Sequence, residues 1–154
     1  MSSPQPHYQA PGWFTRNITN RLVAGLTHRG VSIWGSRVLE TVGRTSGKAR
    51  RTPVNLLTLD GRRYLVSPRG EGQWVRNVRA ADGRLALLLG QHREEQVATE
   101  VPVEDREPIL RAYLQRWKAE VGVFFDGVEP DSPAEELARI APRHPVFLLR
   151  DAVR

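Results

Sequence analysis

The chain has 154 residues, 40% of them hydrophobic, which suits one domain with a full core and excludes a disordered tail. It contains no cysteine, which excludes disulfides, thiol nucleophiles and thiolate metal sites and fits a reducing compartment. A net charge of +6 and a pI near 10.7 suit anionic ligands, nucleic acid or an anionic membrane surface without choosing among them.

Met1 to Gly12 carries Pro4, Pro6 and Pro11 and reads as a flexible arm, without the charged start and apolar core of a signal peptide. Residues 13–154 are expected to form a single domain. From Trp13 to His28, the residues Trp13, Ile18, Leu22, Gly25 and Leu26 approximate one helical face, with Arg16, Asn17 and Asn20 opposite and Gly30 near the end. The pattern favours packing on the domain's own core, although Trp13 and the cations also suit peripheral contact with a membrane surface. No apolar run approaches the roughly 20 residues of a membrane-spanning helix. The expected location is therefore cytoplasmic, with membrane association through this helix as the alternative.

Strands are expected at Arg37 to Val42, Val54 to Leu59 and Arg63 to Ser67, the last two joined by an Asp60-Gly61 hairpin turn. Pro68-Arg69-Gly70-Glu71-Gly72 breaks the third strand, and Gln73 to Ala80 can form one or two helical turns. After Asp82-Gly83, Arg84 to Leu89 and Glu94 to Val103 read as strands paired through Gly90-Gln91. Pro102 to Val121 is the strongest helix, with Glu104-Asp105 at its start, Ile109, Leu110, Tyr113, Leu114 and Trp117 at helical spacing, and Gly122 as terminator. Phe124 to Pro130 reads as irregular with exposed aromatics. Pro133 to Ile140 reads as a short helix capped by Ser132, and Pro145 to Arg150 as a final strand. Strands mostly in hairpin order, flanked by helices, indicate an α+β fold built on an antiparallel sheet or small barrel, and exclude a Rossmann domain.

The segment from Gly43 to Val54 concentrates Arg44, Lys48, Arg50 and Arg51 with two glycines, and no carboxylate occurs from Thr41 to Leu59. Arginine holds phosphate and carboxylate through a planar fork, and lysine acts as a movable point charge. Thr45 and Ser46 offer hydroxyls, and glycine turns can aim backbone N–H groups at an anion. A solvated basic hairpin loop explains the same charges equally well. The segment is not a P-loop, since the Gly-Lys-Ser/Thr order after a strand is missing. Ser67-Pro68-Arg69-Gly70 brings one more cation to a turn near the end of that segment, with an ordinary charged turn as the plainer alternative. Trp74 and Asn77 are neighbours on one helical turn, where they could cover a flat ring and bind a polar edge; a core tryptophan is the plainer alternative. His7, His28, His92 and His144 lack ligand spacing, and no metal motif or nucleophilic triad is present. His144 reads as a loop residue rather than a base. With no evident acid, base or nucleophile, any chemistry belongs to a cofactor, and catalytic residues stay unassigned.

Gly43-Arg44-Thr45-Ser46-Gly47-Lys48-Ala49-Arg50, followed by Pro53-Val54, resembles the Gly-Arg-(Lys/Thr)-(Ser/Thr)-Gly-x-x-Arg-x-x-Pro-Leu signature of the deazaflavin (coenzyme F420)-dependent nitroreductase and quinone reductase family. That family belongs to the split β-barrel flavin and deazaflavin oxidoreductases. Tyr64-Leu65-Val66-Ser67, Arg69-Gly70, Trp74-Val75-Arg76-Asn77 and Arg143-His144-Pro145-Val146-Phe147-Leu148-Leu149 resemble later family segments in the same order. The resemblance implies a split β-barrel whose 8-hydroxy-5-deazaflavin ring lies near Pro53, Val54, Asn55 and Ser67. The acidic tail would lie toward Arg44, Lys48, Arg50 and Arg69, beside Thr45, Ser46 and Gly70, with Trp74 and Asn77 supporting the wall. It implies hydride transfer to a small-molecule quinone, enone or nitro compound, and by region it puts Tyr113, Trp117, Phe124 and Phe125 at the substrate pocket. The short segment before Trp74, Glu71 within it, and Val75 in place of an aromatic depart from the family pattern. An FMN-binding split barrel and a noncatalytic deazaflavin carrier are the alternatives. Nucleic-acid binding is not expected, because the cations sit in turns with few aromatics between them. The protomer is expected to be a monomer or a homodimer.

Overall fold

The computed structural model describes residues 35–152. The expected arm at 1–12, the Trp13 to His28 helix and Gly30 lie outside the described residues.

Six strands close into a barrel: β1 (Ser36–Val42), β2 (Ala49–Leu59), β3 (Arg62–Val66), β4 (Arg84–Leu89), β5 (His92–Glu100) and β6 (Val146–Asp151). Their order around the barrel is β1-β2-β3-β6-β5-β4, and every neighbouring pair is antiparallel. The last strand of the chain closes the barrel by inserting between β3 and β5. Among the described residues three helices flank it: α1 (Gln73–Ala80), α2 (Glu107–Val121) and α3 (Ala134–Ile140). The α+β split β-barrel expected from the sequence is the fold observed.

Side chains alternate across each strand, and the alternation divides two cores. Leu39, Leu56, Leu65, Leu87 and Phe147 point into the barrel, where α1 adds Val75 and Val78. Their sequence neighbours Leu57, Tyr64, Val66 and Val146 point outward. There they meet Leu110, Tyr113, Leu114 and Trp117 of α2 and Leu137 and Ile140 of α3. Each fully buried leucine contributes about 1.5–3 kcal/mol relative to exposure.

The hairpin turns follow their residue types. Asp60 and Gly61 both have positive φ (53° and 75°), the two-residue turn that matches strand twist. Gly83 is needed for a second reason: a Cβ there would collide with the Ala98 carbonyl, and its φ is +88°.

Several boundaries differ from the sequence expectation. The second strand starts at Ala49, not Val54, so only Gly43 to Lys48 is loop. Arg50 and Arg51 lie in the ladder opposite Thr41 and Glu40, because a charged run is as compatible with an exposed two-stranded ribbon as with a loop. The fifth strand runs from His92 to Glu100 rather than Glu94 to Val103. The long helix starts at Glu107, after a 3₁₀ turn at Val103–Asp105. Pro108 lacks an N–H and is tolerated only in the first helical turn, so it fixes that start. Ser132 does not cap α3; its Oγ accepts the Glu129 N–H at 2.8 Å, and Pro133 occupies the cap position. Phe124 and Phe125 are buried, not exposed. Phe125 packs between Tyr113 (centroids 6.1 Å apart) and His144 (4.2 Å, stacked).

A buried cation ties these layers together. Arg106 is 5% exposed. Its Nε donates to Val101 O at 2.9 Å, Nη1 to Ala141 O at 2.9 Å, and Nη2 to Glu100 Oε2 at 3.1 Å. Glu100 also pairs with Arg79 of α1 at 2.7 Å, and Arg79 pairs in turn with Glu71.

Candidate active site

A cleft of about 720 Å³ opens between the β1–β2 loop, the start of β2, the β3–α1 turn and the C-terminal half of α2. Its chemistry follows from how each wall is held.

The basic loop is closed on itself. The Gly43 N–H donates to Lys48 O at 2.8 Å, the Gly47 N–H to Gly43 O at 2.8 Å, and the Lys48 N–H to Ser46 Oγ at 3.1 Å. Asn77, 3% exposed on α1, then docks the loop. Its Oδ1 accepts the Arg44 N–H at 3.2 Å and Arg44 Nη1 at 2.8 Å, while its Nδ2 donates to Thr41 Oγ1 at 3.2 Å. Arg44 Nη1 also donates to Gln73 Oε1 at 3.0 Å. Amide oxygens therefore orient Arg44 without neutralising it. Arg51 pairs with Glu40 at 3.0 Å, which offsets part of its charge.

On the opposite wall, Ser67 is 2% exposed and fully engaged in its turn. Its Oγ donates to Gly70 O at 2.6 Å, its N–H to Pro145 O at 2.9 Å, and its carbonyl accepts from His144 Nδ1 at 3.1 Å. A carbonyl can only accept, so the His144 proton sits on Nδ1. Arg69 follows, with its guanidinium carbon 5.6 Å from the centre of the Phe124 ring. The floor is apolar: Pro53, Val54, Trp74, Val121 and Phe124. Trp74 leans on Phe147 with centroids 5.7 Å apart.

Of the residues singled out in the sequence, Arg44, Thr45, Ser46, Arg50, Pro53, Val54, Asn55, Ser67, Arg69, Trp74, Asn77, Tyr113 and Phe124 line this one cleft. Lys48 and Gly70 do not; Lys48 is exposed at the loop's far end, and Gly70 supports the turn from behind. Trp117 and Phe125 do not either, since both are packed into the helical core. Asn77 lines the wall, yet its side chain is engaged in holding the loop rather than presented to a ligand. His144 is the loop residue expected, in the bend before β6, and it is buried.

The sequence reading missed Glu120, the one carboxylate among the described residues of this cleft. Asn55 Nδ2 donates to its Oε2 at 3.0 Å. Burial pushes the Glu120 carboxyl above its ordinary range, with Asn55 and Arg116 pulling the other way. Burial, then the nearby Glu120 charge, pushes the Tyr113 hydroxyl far up as well. A signal existed: Glu120 falls seven residues after Tyr113 and three after Trp117, a charge on the apolar stripe of α2.

The sequence profile of the family described as F420H(2)-dependent quinone reductase matches residues 14–131. No curated protein matches the sequence. Among solved structures, a protein described as a domain-swapped dimer is 22% identical with a TM-score of 0.52, covering 89% of this chain and 97% of that one. An F420-H2 dependent reductase (FDR-A) is 20% identical, TM-score 0.50, with 75% and 94% covered. A conserved hypothetical protein from Mycobacterium tuberculosis is 17% identical, TM-score 0.53, with 99% and 87% covered. These likenesses establish the barrel fold. The profile spans most of the chain, and the chain belongs to the F420H(2)-dependent quinone reductase family, as an F420-dependent oxidoreductase.

Proposed function

We propose that the cleft binds reduced deazaflavin coenzyme and an electron-poor small molecule, a quinone first, with enones and nitro compounds as further acceptors. The observation that carries this reading is the convergence of Arg44, Arg50, Arg51 and Arg69 around an apolar floor that includes Trp74. A planar ring with a phosphate and acidic glutamyl tail needs that combination, since several carboxylates and a phosphate require several cations. The donor set fits the group: Arg44 and Arg69 flank opposite walls, and Pro53, Val54 and Trp74 supply apolar surface between them.

The bound coenzyme supplies the hydride, and the protein's part is to bind, orient and exclude water. Arg44 is held ready by Gln73 and Asn77, so little side-chain freedom is lost on binding an anion. Tyr113, together with the floor residues Val121 and Phe124, closes the side nearest α2 and meets the acceptor. Thr45 and Ser46 offer hydroxyls at the rim. The reading requires no nucleic acid. Among the described residues no helix is long and apolar enough to cross a membrane, and a cytoplasmic location agrees with the absence of cysteine.

The test is turnover: purified protein with reduced coenzyme F420 and menadione should oxidise the coenzyme. No oxidation with menadione, an enone or a nitroaromatic would remove the catalytic reading and leave a coenzyme carrier. Tight FMN binding with a flavin spectrum would favour the flavin alternative.

A further inference from the structure

Two-electron reduction of a quinone needs a proton as well as a hydride, and the sequence offers no conspicuous donor. The structure contains one on the cleft wall. Glu120 stands in the last turn of α2, next to Val121 and two turns beyond Tyr113, all three facing the cleft. Asn55 reaches it from β2, two residues after the floor residue Pro53, and donates to Oε2 at 3.0 Å. A protonated carboxyl that accepts on Oε2 carries its proton on Oε1. Burial favours the protonated acid. Among the described residues, the charge that acts on it is Arg116 of its own helix, whose guanidinium lies 4.5 Å above the Trp117 ring; Arg69 lines the same cleft and acts on Tyr113. Tyr113 is the weaker candidate, because its buried hydroxyl holds its proton more tightly than any neutral-pH acid should.

Resting on the cleft's reading as the coenzyme and acceptor site, we propose that Glu120 is the proton donor to the acceptor. The acceptor receives a hydride, with its electron pair, from the reduced coenzyme, which is thereby oxidised by two electrons. The hydride bonds to one carbonyl oxygen of the quinone and the displaced electron pair collects on the other; the Glu120 O–H bond breaks and a new O–H bond forms at that second oxygen, completing the hydroquinone. The carboxylate recovers a proton from solvent, and the ring proton given up on coenzyme oxidation returns to solvent, so the protons balance over a turnover.

The rival is a purely structural pin between Asn55 and α2. Glu120→Gln separates the two, because its amide oxygen still accepts from Asn55 but it has no acid proton to release. The expected result is a fall in kcat with menadione of roughly 100-fold, the range for loss of a general acid, with loss of the alkaline decline of the pH profile and unchanged affinity for oxidised coenzyme. In coenzyme-free protein, infrared titration should show a protonated carboxyl persisting above the ordinary carboxylate range, absent in Glu120→Gln. Glu120→Asp keeps an acid and should retain the alkaline decline, which keeps the test open if the glutamine variant folds poorly. Wild-type kcat and pH profile in Glu120→Gln, or an aspartate variant without the decline, would overturn the proposal. Wild-type protein that binds no coenzyme in a fluorescence titration would remove the cleft reading and this proposal together.

Discussion

Asn77 accepts both the backbone N–H and the guanidinium Nη1 of Arg44, so one buried side chain fixes the loop and the direction of its leading cation. Thr41 completes the arrangement by accepting from Asn77 Nδ2. Replacement of Asn77 by leucine should cost about 1–3 kcal/mol of stability through unsatisfied buried partners. It should also weaken coenzyme binding by about tenfold as Arg44 loses its orientation. Chemical denaturation and fluorescence titration of the same variant check the two effects.

The cations of the cleft should act through charge. Arg44→Ala, Arg50→Ala and Arg69→Ala should each weaken coenzyme binding by about tenfold or more, as expected for loss of a charge-assisted hydrogen bond of ~1.5–3 kcal/mol. Lys48→Ala should matter less, since Lys48 lies off the cleft wall. Equal effects of Lys48 and Arg50 substitutions in titrations at fixed salt would count against the wall as drawn.

Gly83→Ala tests the fold rather than the site. The added Cβ meets the Ala98 carbonyl and the backbone has φ +88°. A loss of at least about 1–3 kcal/mol is expected from the strained backbone alone, measured as a fall in the urea midpoint. Gly61→Ala meets no atom within 4 Å, so its cost should come from positive φ alone and be smaller.

Two glutamates should give opposite pH signatures. Hydrogen bonding to Arg79 holds the Glu71 carboxyl below its ordinary range. Its contribution is therefore present above the unfolded value near pH 4.5 and lost as pH falls through the lower folded value. Glu71→Gln should lower Tm at pH 7 and converge with wild type in acid; the effect is modest, because Arg79 is 38% exposed. Burial raises Glu120, so the folded state binds its proton more tightly and wild-type stability falls as pH rises from about 4.5 through the folded value. Glu120→Gln should match wild type in acid and exceed it at pH 7. Thermal melts across pH 3–8, expected range roughly that of carboxylate titration, measure both.

The antiparallel hairpin order was legible because its turns announce themselves, while the choice of a split barrel over an open sheet came from the family resemblance. Asp60-Gly61, Asp82-Gly83 and Gly90-Gln91 punctuate alternating apolar runs, and α2 shows its buried face at helical spacing. The closure of β6 between β3 and β5 was not legible, since strand order depends on long-range pairing that local pattern does not encode. The extent of the basic loop was misread because Arg50 and Arg51 carry no local sign that they pair with Thr41 and Glu40. Arg44, Arg50 and Arg69 could be gathered in advance through turn chemistry and charge. Glu120 could not be gathered in the same way, because its meaning comes from burial and from Asn55, 65 residues away. Trp117 and Phe125 were assigned by region, and the packing of α2, α3 and His144 sends them to the core instead.

The central claim is that the cleft between the β1–β2 loop and α2 receives a deazaflavin with an acidic tail. Its most direct test is fluorescence titration of the purified protein with oxidised coenzyme F420, beside FMN and beside the Arg44→Ala variant. Saturable binding of the deazaflavin, weaker binding of FMN and loss of about tenfold in the variant are predicted. No saturable deazaflavin binding, or binding that Arg44→Ala and Arg50→Ala leave unchanged, would contradict the account.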